Sequence, residues 1–197
     1  MEGTQRQKLF NVKRILEGLP EFKKVWVQVA RVPVLQLVFS ETNMEIDVTV
    51  DNDDGKRNTQ ILAWYGQIDA RAPLLCKAVK GWASSVGVEG ARQARLNSFT
   101  LCLMVIQYLQ VAVSPAILPC LQDHFPELKE DMDVEDDDYQ KRNLKKELEA
   151  KGYRIERNES SVGSLFAGFL KFYAEFDFQT NWISVRSGKV MKKRWDE

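Results

Sequence analysis

An α+β chain, a short sheet followed by a mostly helical region, is predicted by three features of the 197-residue sequence. In residues 44–50, apolar Met44, Ile46, Val48 and Val50 alternate with Glu45, Asp47 and Thr49, which is the period of a half-buried strand. From Thr59 the period lengthens to helical, through Ile61, Leu62, Trp64 and Tyr65 to Leu74, Leu75, Val79 and Trp82. Residues 99–109 are almost wholly apolar and too long for a typical central strand, so 96–110 reads as a helix buried on most sides.

The remaining elements follow the same logic. Leu9, Val12 and Leu16 recur at helical spacing, with Ile15 widening the apolar face and Lys13, Arg14 and Glu17 on the polar side. Gly18 and Pro20 end that helix near Glu17. Val25, Val27 and Val29, then residues 32–39, are rich in β-branched side chains and are separated near Pro33, giving extended structure with an edge or kink at the proline. Residues 40–43 read as a hairpin turn into 44–50, and the Asp-rich stretch 51–57 as the turn where sheet gives way to helix. Pro115 and Pro119 frame a loop. Residues 124–138 are acidic with few apolar anchors and are expected to be solvated, His124 included. Leu144 and Leu148 among lysines and glutamates give one exposed amphipathic helix over 141–151. Residues 162–178 return to core composition, and 181–186 read as a short closing strand.

Twenty-eight basic and 28 acidic residues balance, so any polyanion must be held by a local patch rather than by net charge. The three cysteines, Cys76, Cys102 and Cys120, lie in apolar surroundings without Cys-x-x-Cys spacing, which points to buried thiols rather than a disulfide framework or a zinc site. The first residues lack the apolar core of a secretory signal, and the longest apolar run is broken at Gln107 before reaching spanning length. The expected chain is soluble and intracellular, without a membrane partner. Asp47, on the polar face of its strand, fits both a solvated strand residue and a carboxylate facing a ligand or metal.

Six stretches, in order, resemble one family: Ala30-Arg31-Val32-Pro33-Val34-Leu35, Glu45-Ile46-Asp47-Val48-Thr49-Val50, Arg57-Asn58-Thr59, Val79-Lys80-Gly81-Trp82-Ala83, residues 96–106 (Leu-Asn-Ser-Phe-Thr-Leu-Cys-Leu-Met-Val-Ile), and Phe172-Tyr173-Ala174-Glu175-Phe176-Asp177-Phe178. Together they resemble the noncanonical poly(A) polymerases and terminal uridylyltransferases over residues 24–190. The resemblance implies part of a mixed-sheet nucleotidyltransferase domain in residues 1–55. It implies a mostly helical central, PAP-associated domain in 56–197, with an acidic insertion near 123–138. In such enzymes the nucleotide and the RNA 3′ end occupy the cleft between the two domains.

The resemblance also assigns roles. Asp47 matches the third of three carboxylates that hold two magnesium or manganese ions. Asn58 matches a contact to the sugar hydroxyls, and Asn52 lies near another pocket-side position, although a helix cap or turn accounts for either. Lys80 matches the triphosphate-binding lysine. Ser84 stands where the family has a second lysine; it can donate a hydrogen bond but brings no charge, so phosphate affinity is expected to be weaker. Ser98 matches a serine that donates to the phosphates. Phe99 matches an aromatic that stacks on the base, keeping the ring face where many members have Tyr. Glu175 matches an acidic residue that reads the base edge, and Asn181 falls where several uridylyltransferases have His. Basic residues over 141–151 and 186–194 are the expected contacts for single-stranded RNA, equally readable as solvated helix and tail.

The family's first two carboxylates form an Asp-x-Asp after a Gly-Ser turn, and the first 20 residues contain no aspartate. Two-metal phosphoryl transfer needs several oxygen ligands to hold ions about 4 Å apart, which Asp47 alone does not supply. Two readings therefore stand. In one, the chain is a truncated form of an enzyme that adds UMP or AMP, from UTP or ATP, to an RNA 3′ end. In the other, it is a catalytically inactive RNA-binding or partner-binding remnant. No RNA-recognition module is visible, so targeting is expected to use an RNA-binding adaptor protein or a further domain. The expected location is cytoplasmic, with the nucleus also compatible.

Overall fold

The computed structural model describes residues 4–88, 96–129, 141–154 and 156–193. The chain forms two compact units, Met1–Lys56 and Arg57–Glu197, which divide within one helix.

In the first unit, α1 (Gln5–Leu16) precedes an antiparallel meander of β1 (Phe22–Gln28), β2 (Val34–Phe39) and β3 (Glu45–Val48), in that spatial order. Thr4 starts α1 with a capping box: its hydroxyl accepts from the Gln7 N–H while the Gln7 side chain accepts from the Thr4 N–H. Leu9 then packs into Leu35 and Leu37, and all three are buried. Val12 and Leu16 complete the stripe, but Ile15 is exposed. A single helix lying on one face of three strands has an apolar stripe of only about 100° to cover, and Ile15 falls outside it. Asn52 caps the next helix, α2 (Asp53–Ile68), with Oδ1 accepting from the Gly55 N–H at 3.1 Å. Residues 53–57 of the Asp-rich stretch expected as a turn are therefore already helical, and Asp53 and Asp54 sit at the positive end of the helix dipole.

In the second unit, the rest of α2 joins α3 (Arg71–Ser85), α4 (Ser98–Val111), α5 (Leu121–His124), α6 (Leu144–Ala150) and α7 (Val162–Ala174). A hairpin of β4 (Asn181–Ser184) and β5 (Lys189–Lys192) closes it. The apolar helix expected over 96–110 is α4, with eight consecutive or near-consecutive buried residues from Leu101 to Leu109, interrupted only at half-buried Leu103. It packs against α3, α7 and both strands of the hairpin.

Two expectations change here. Phe125 and Leu128 are packed rather than solvated, with both side chains buried, and the cations of Arg142 and Lys151 lie 5.2 and 4.1 Å from the Phe125 ring centroid. His124 is half-buried against the Tyr153 ring at 4.4 Å. The remainder of the acidic stretch, 130–138, lies outside the described residues. The strand expected over 181–186 ends at Ser184 and has a partner, β5, that the run of lysines around Val190 and Met191 concealed.

Arg71 ties the unit together across a long span of sequence. Its guanidinium pairs with Asp69 at 2.8 Å and donates to the carbonyls of Asn158 at 2.7 Å and Ser160 at 2.9 Å. Desolvation pushes the Asp69 carboxyl up, but the hydrogen bonds and charge of Arg71 outweigh it and hold the group below its ordinary value. Arg71→Ala is expected to cost about 1–3 kcal/mol, since it strips two carbonyls of their donor and leaves the partly buried carboxylate its bond from the residue-71 backbone N–H but no guanidinium. Because the Asp69 value is depressed in the folded state, the wild-type advantage is complete above the ordinary 3.8 and is lost as pH falls through the folded value. Paired urea melts of wild type and Arg71→Ala at neutral pH and below pH 4 check this; a gap independent of pH would refute it.

Candidate functional site

Strand register builds the environment of Asp47. Leu35, Leu37, Ile46 and Val48 turn inward to α1, so their alternating neighbours share the opposite face. On that face Trp26, Gln36 and Asp47 form one cross-strand row. Gln36 is buried, and its Nε2 donates to Asp47 Oδ1 at 2.9 Å, which fixes the orientation of an otherwise exposed carboxylate. Gln36 was not among the sequence-derived candidates. Its signal was the one polar residue in the strand Val-Leu-Gln-Leu-Val-Phe.

A two-metal site does not fit the donors that surround Asp47. Among the described residues, no three His, Cys, Asp or Glu side chains converge, and the group bonded to Asp47 is an amide donor rather than a second anion.

In the second unit, the helix spacing brings three candidates to one seam. The Cys76 thiol on α3 meets the Cys102 thiol on α4, and that contact together with burial pushes the Cys76 thiol well above its ordinary value. Lys80 is one turn beyond Cys76 on the same side of α3, and Ser98 and Phe99 are one turn before Cys102 on the same side of α4. Trp82 lines one apolar cavity with Thr100 and Leu101, so the late turns of α3 run beside the early turns of α4. Lys80, Ser98 and Phe99, each half-buried, therefore share the end of the α3–α4 seam. Asn97 shapes that end by capping α4, with Oδ1 accepting from the Thr100 N–H at 2.7 Å. Ser84 lies a further turn along α3 and is exposed. Asn58 is half-buried in the second turn of α2. Asn52, the other amide near it, serves as the helix cap.

Glu175 and Asn181 lie on either side of a turn built by Asp177. That carboxylate accepts from the Thr180 hydroxyl and from the N–H groups of Thr180 at 3.2 Å and Gln179 at 2.9 Å, which hold it below the usual carboxylate range. Glu175 is the exposed C-cap of α7, and Asn181 is the half-buried first residue of β4. The turn is pinned from beneath by Tyr173, whose hydroxyl donates to the α4 carbonyl of Met104 and lies 2.9 Å from Gln107 Oε1. Asp177 and Tyr173 carry no chemistry themselves but set the spacing of the residues around them.

Two family profiles match at opposite ends of the chain: the central palm domain of mitochondrial-like poly(A) RNA polymerase over residues 2–67, and the Cid1 family poly A polymerase over 161–197. The chain is 35% identical to poly(A) RNA polymerase gld-2 homolog A of Drosophila melanogaster over 82% of its own length. The chain belongs to the GLD-2-like family of noncanonical poly(A) polymerases. Poly(A) RNA polymerase GLD2-A of Xenopus laevis is 36% identical over 85% of the chain. The chain spans 12% of the Drosophila protein's length and 32% of the Xenopus protein's. Among solved structures, the GLD-2 and GLD-3 complex matches 89% of this chain and 55% of that one, at 26% identity and a TM-score of 0.66. The mtPAP structure with ATPgammaS shares the fold, with a TM-score of 0.76 over 98% of this chain and 42% of that one, at 23% identity.

The α4–α7 contact supporting these residues has no room for a methyl group at Gly168, where a Cβ would collide with the Tyr108 hydroxyl. Gly168→Ala is expected to destabilise by about 1–3 kcal/mol, despite the gain in helix propensity. Adding Tyr108→Phe should recover most of that loss. Thermal melts of the single and double variants check the pair, and no recovery would refute the proposed clash.

Proposed function

We propose that the chain forms part of an RNA 3′-terminal nucleotidyltransferase that adds AMP or UMP from ATP or UTP. The observation that carries this reading is the α3–α4 seam bearing Lys80, Ser98 and Phe99. Solved mtPAP complexes with ATPgammaS and with UTP support a nucleotide ligand for the family's fold. GLD-2 complexes with RNP-8 and GLD-3 support an adaptor protein as partner. No helix among the described residues is long and apolar enough to cross a membrane, and we place the protein in the cytoplasm, with the nucleus also compatible.

In this reading the Lys80 ammonium neutralises triphosphate charge and the Ser98 hydroxyl donates to a phosphate oxygen beside the positive end of α4. Phe99 offers its ring to the base. Asn58 contacts the ribose hydroxyls, and Ser84 adds a neutral donor further along α3. Glu175 and Asn181 address the base edge from either side of the Asp177 turn. Asn181 supplies one donor and one acceptor and no cation, a set compatible with both adenine and uracil. Asp47 contributes one oriented carboxylate, and Mg2+ or Mn2+ needs further oxygen ligands.

A second reading, RNA or partner binding without catalysis, is favoured by the environment of Asp47, where Gln36 supplies a donor and, among the described residues, no cluster of three His, Cys, Asp or Glu side chains forms. RNA extension separates the two. A purified polypeptide of these 197 residues is expected to extend labelled RNA weakly or not at all with ATP or UTP, because one carboxylate cannot orient both the attacking and leaving oxygens. Robust Mg2+-dependent extension abolished by Asp47→Ala would overturn that expectation.

Nucleotide binding tests the seam directly. Lys80→Ala should weaken ATP and UTP alike by about tenfold or more, the range for loss of a charged hydrogen bond. Phe99→Ala should weaken both by about 5- to 100-fold through lost stacking, whereas Phe99→Tyr should not. Asn181→His should move the UTP-to-ATP affinity ratio toward UTP. Calorimetric titration measures all of these, and an unchanged ratio in Asn181→His would remove that residue from base selection.

A further inference from the structure

The β4–β5 hairpin presents a face that the nucleotide reading leaves unused. Ile183 turns toward the helical core, so Trp182 and Ser184, with their cross-strand partners Met191 and Lys189, point the other way. Trp182 is 45% exposed and Met191 37% exposed, a large apolar surface at the edge of the unit. From Phe178 to Lys193 the chain carries Arg186, Lys189, Lys192 and Lys193 and no acidic residue. An exposed indole on a hairpin with four basic residues, with the Asp177 carboxylate beside Lys193 at its open end, combines a stacking surface with charge complementary to a phosphate backbone.

The hairpin is also held firmly. Gln110 Nε2 donates to the Val185 carbonyl at 3.3 Å, and the Cys120 thiol donates to the Arg186 carbonyl at 3.2 Å. Gly188 has φ of +56° and passes so close to Cys120 that a Cβ would stand 2.8 Å from the Cys120 Cβ. At the open end, the Lys193 N–H donates to the Thr180 carbonyl and its ammonium to the Phe178 carbonyl, both at 2.7 Å. A base stacking on Trp182 would meet a platform already ordered, so little conformational entropy is lost on binding.

We propose that this face, with Trp182 as the stacking residue and Lys189 as a phosphate contact, binds single-stranded RNA. The proposal takes its polymer from the function proposed above and assigns it a surface separate from the Lys80, Ser98 and Phe99 seam. Lys189 beside the tryptophan is a residue type depleted from protein interface cores, while Trp182 and Met191 are types enriched there, so self-association is measured alongside RNA binding.

Fluorescence anisotropy of the full 197-residue chain with a short labelled oligo(A) or oligo(U) tests it, with ATP titration run on the same samples. Trp182→Ala should weaken RNA binding about 5- to 100-fold, while Trp182→Phe, which keeps a ring, should stay within about threefold. Lys189→Gln, a surface change without packing consequences, should lower the slope of log affinity against log salt by about 0.7. ATP affinity should not change in any of the three. RNA affinity unchanged in both Trp182→Ala and Lys189→Gln would overturn the proposal. So would a wild-type chain that binds ATP but no RNA, or a wild-type dimer in sedimentation that Trp182→Ala disrupts, which would make the face a self-association surface. Trp182-dependent RNA binding by a chain that fails to bind ATP would leave this proposal standing and remove the nucleotidyltransferase reading instead.

Discussion

A helix as apolar as α4 has no solvated face to offer, and the second unit is arranged to cover it. α3 takes one side, α7 another, and the β4–β5 hairpin a third. Each covering element contributes apolar side chains, such as Val79 from α3, Phe169 from α7 and Ile183 from β4. The polar groups of α4 that lie among these elements become fixed points through the hydrogen bonds they make. Gln110 is the clearest case: its amide nitrogen, with two hydrogens, lies within hydrogen-bond distance of three acceptors, the Tyr65 hydroxyl at 3.0 Å, the Pro119 carbonyl at 3.1 Å and the Val185 carbonyl at 3.3 Å. A half-buried amide with that many acceptors constrains α2, the loop before α5 and the hairpin turn together.

That arrangement separates polar side chains from apolar packing by one helical turn. The α3–α4 seam is apolar at Cys76 and Cys102 and becomes polar only at its end, where Lys80 and Ser98 lie. The hairpin likewise packs Ile183 inward and leaves the adjacent Asn181 half-exposed at the strand's start. In the first unit the same division runs across the sheet rather than along a helix. Leu35 and Leu37 bury against α1, while Gln36 between them turns to the other face and orients Asp47.

How much of this was legible in the sequence depended on the range of the interactions. Strand alternation around Asp47 and the length of the apolar run 96–110 are local patterns, and both elements formed where expected. The cap at Asn52 is local too, but an Asp-rich stretch reads equally well as a turn or as the first turn of a helix; the Gly55 N–H to Asn52 bond decided it. Burial of Phe125 was hidden because its cover is distant in sequence: it joins an apolar cluster that includes Leu144 and Leu148 and meets Arg142 and Lys151, all beyond a long acidic stretch. β5 was hidden for a related reason: Lys189 and Lys192 are on strand positions with no burial to mark them, and only pairing with β4 defines the strand. Of the candidate site, motif resemblance could name Lys80, Ser98 and Phe99, but only the meeting of Cys76 with Cys102 puts them on a common seam.

The contrast between Lys80 and Ser84 bears on what the site can hold. A triphosphate carries several negative charges, and a phosphate group left without a cation in a partly desolvated seam costs more than the same group in water. Lys80 supplies one charge, the amino end of α4 supplies a fraction of another, and Ser84 supplies none. Neutralisation of the remaining charge must then come from bound cations or from residues outside this seam. The cation requirement and the carboxylates needed to seat those cations are thus two sides of one constraint. On the reading proposed above, the α3–α4 seam by itself, with one lysine and one helix end, would offset only part of a triphosphate's charge and leave the rest to cations.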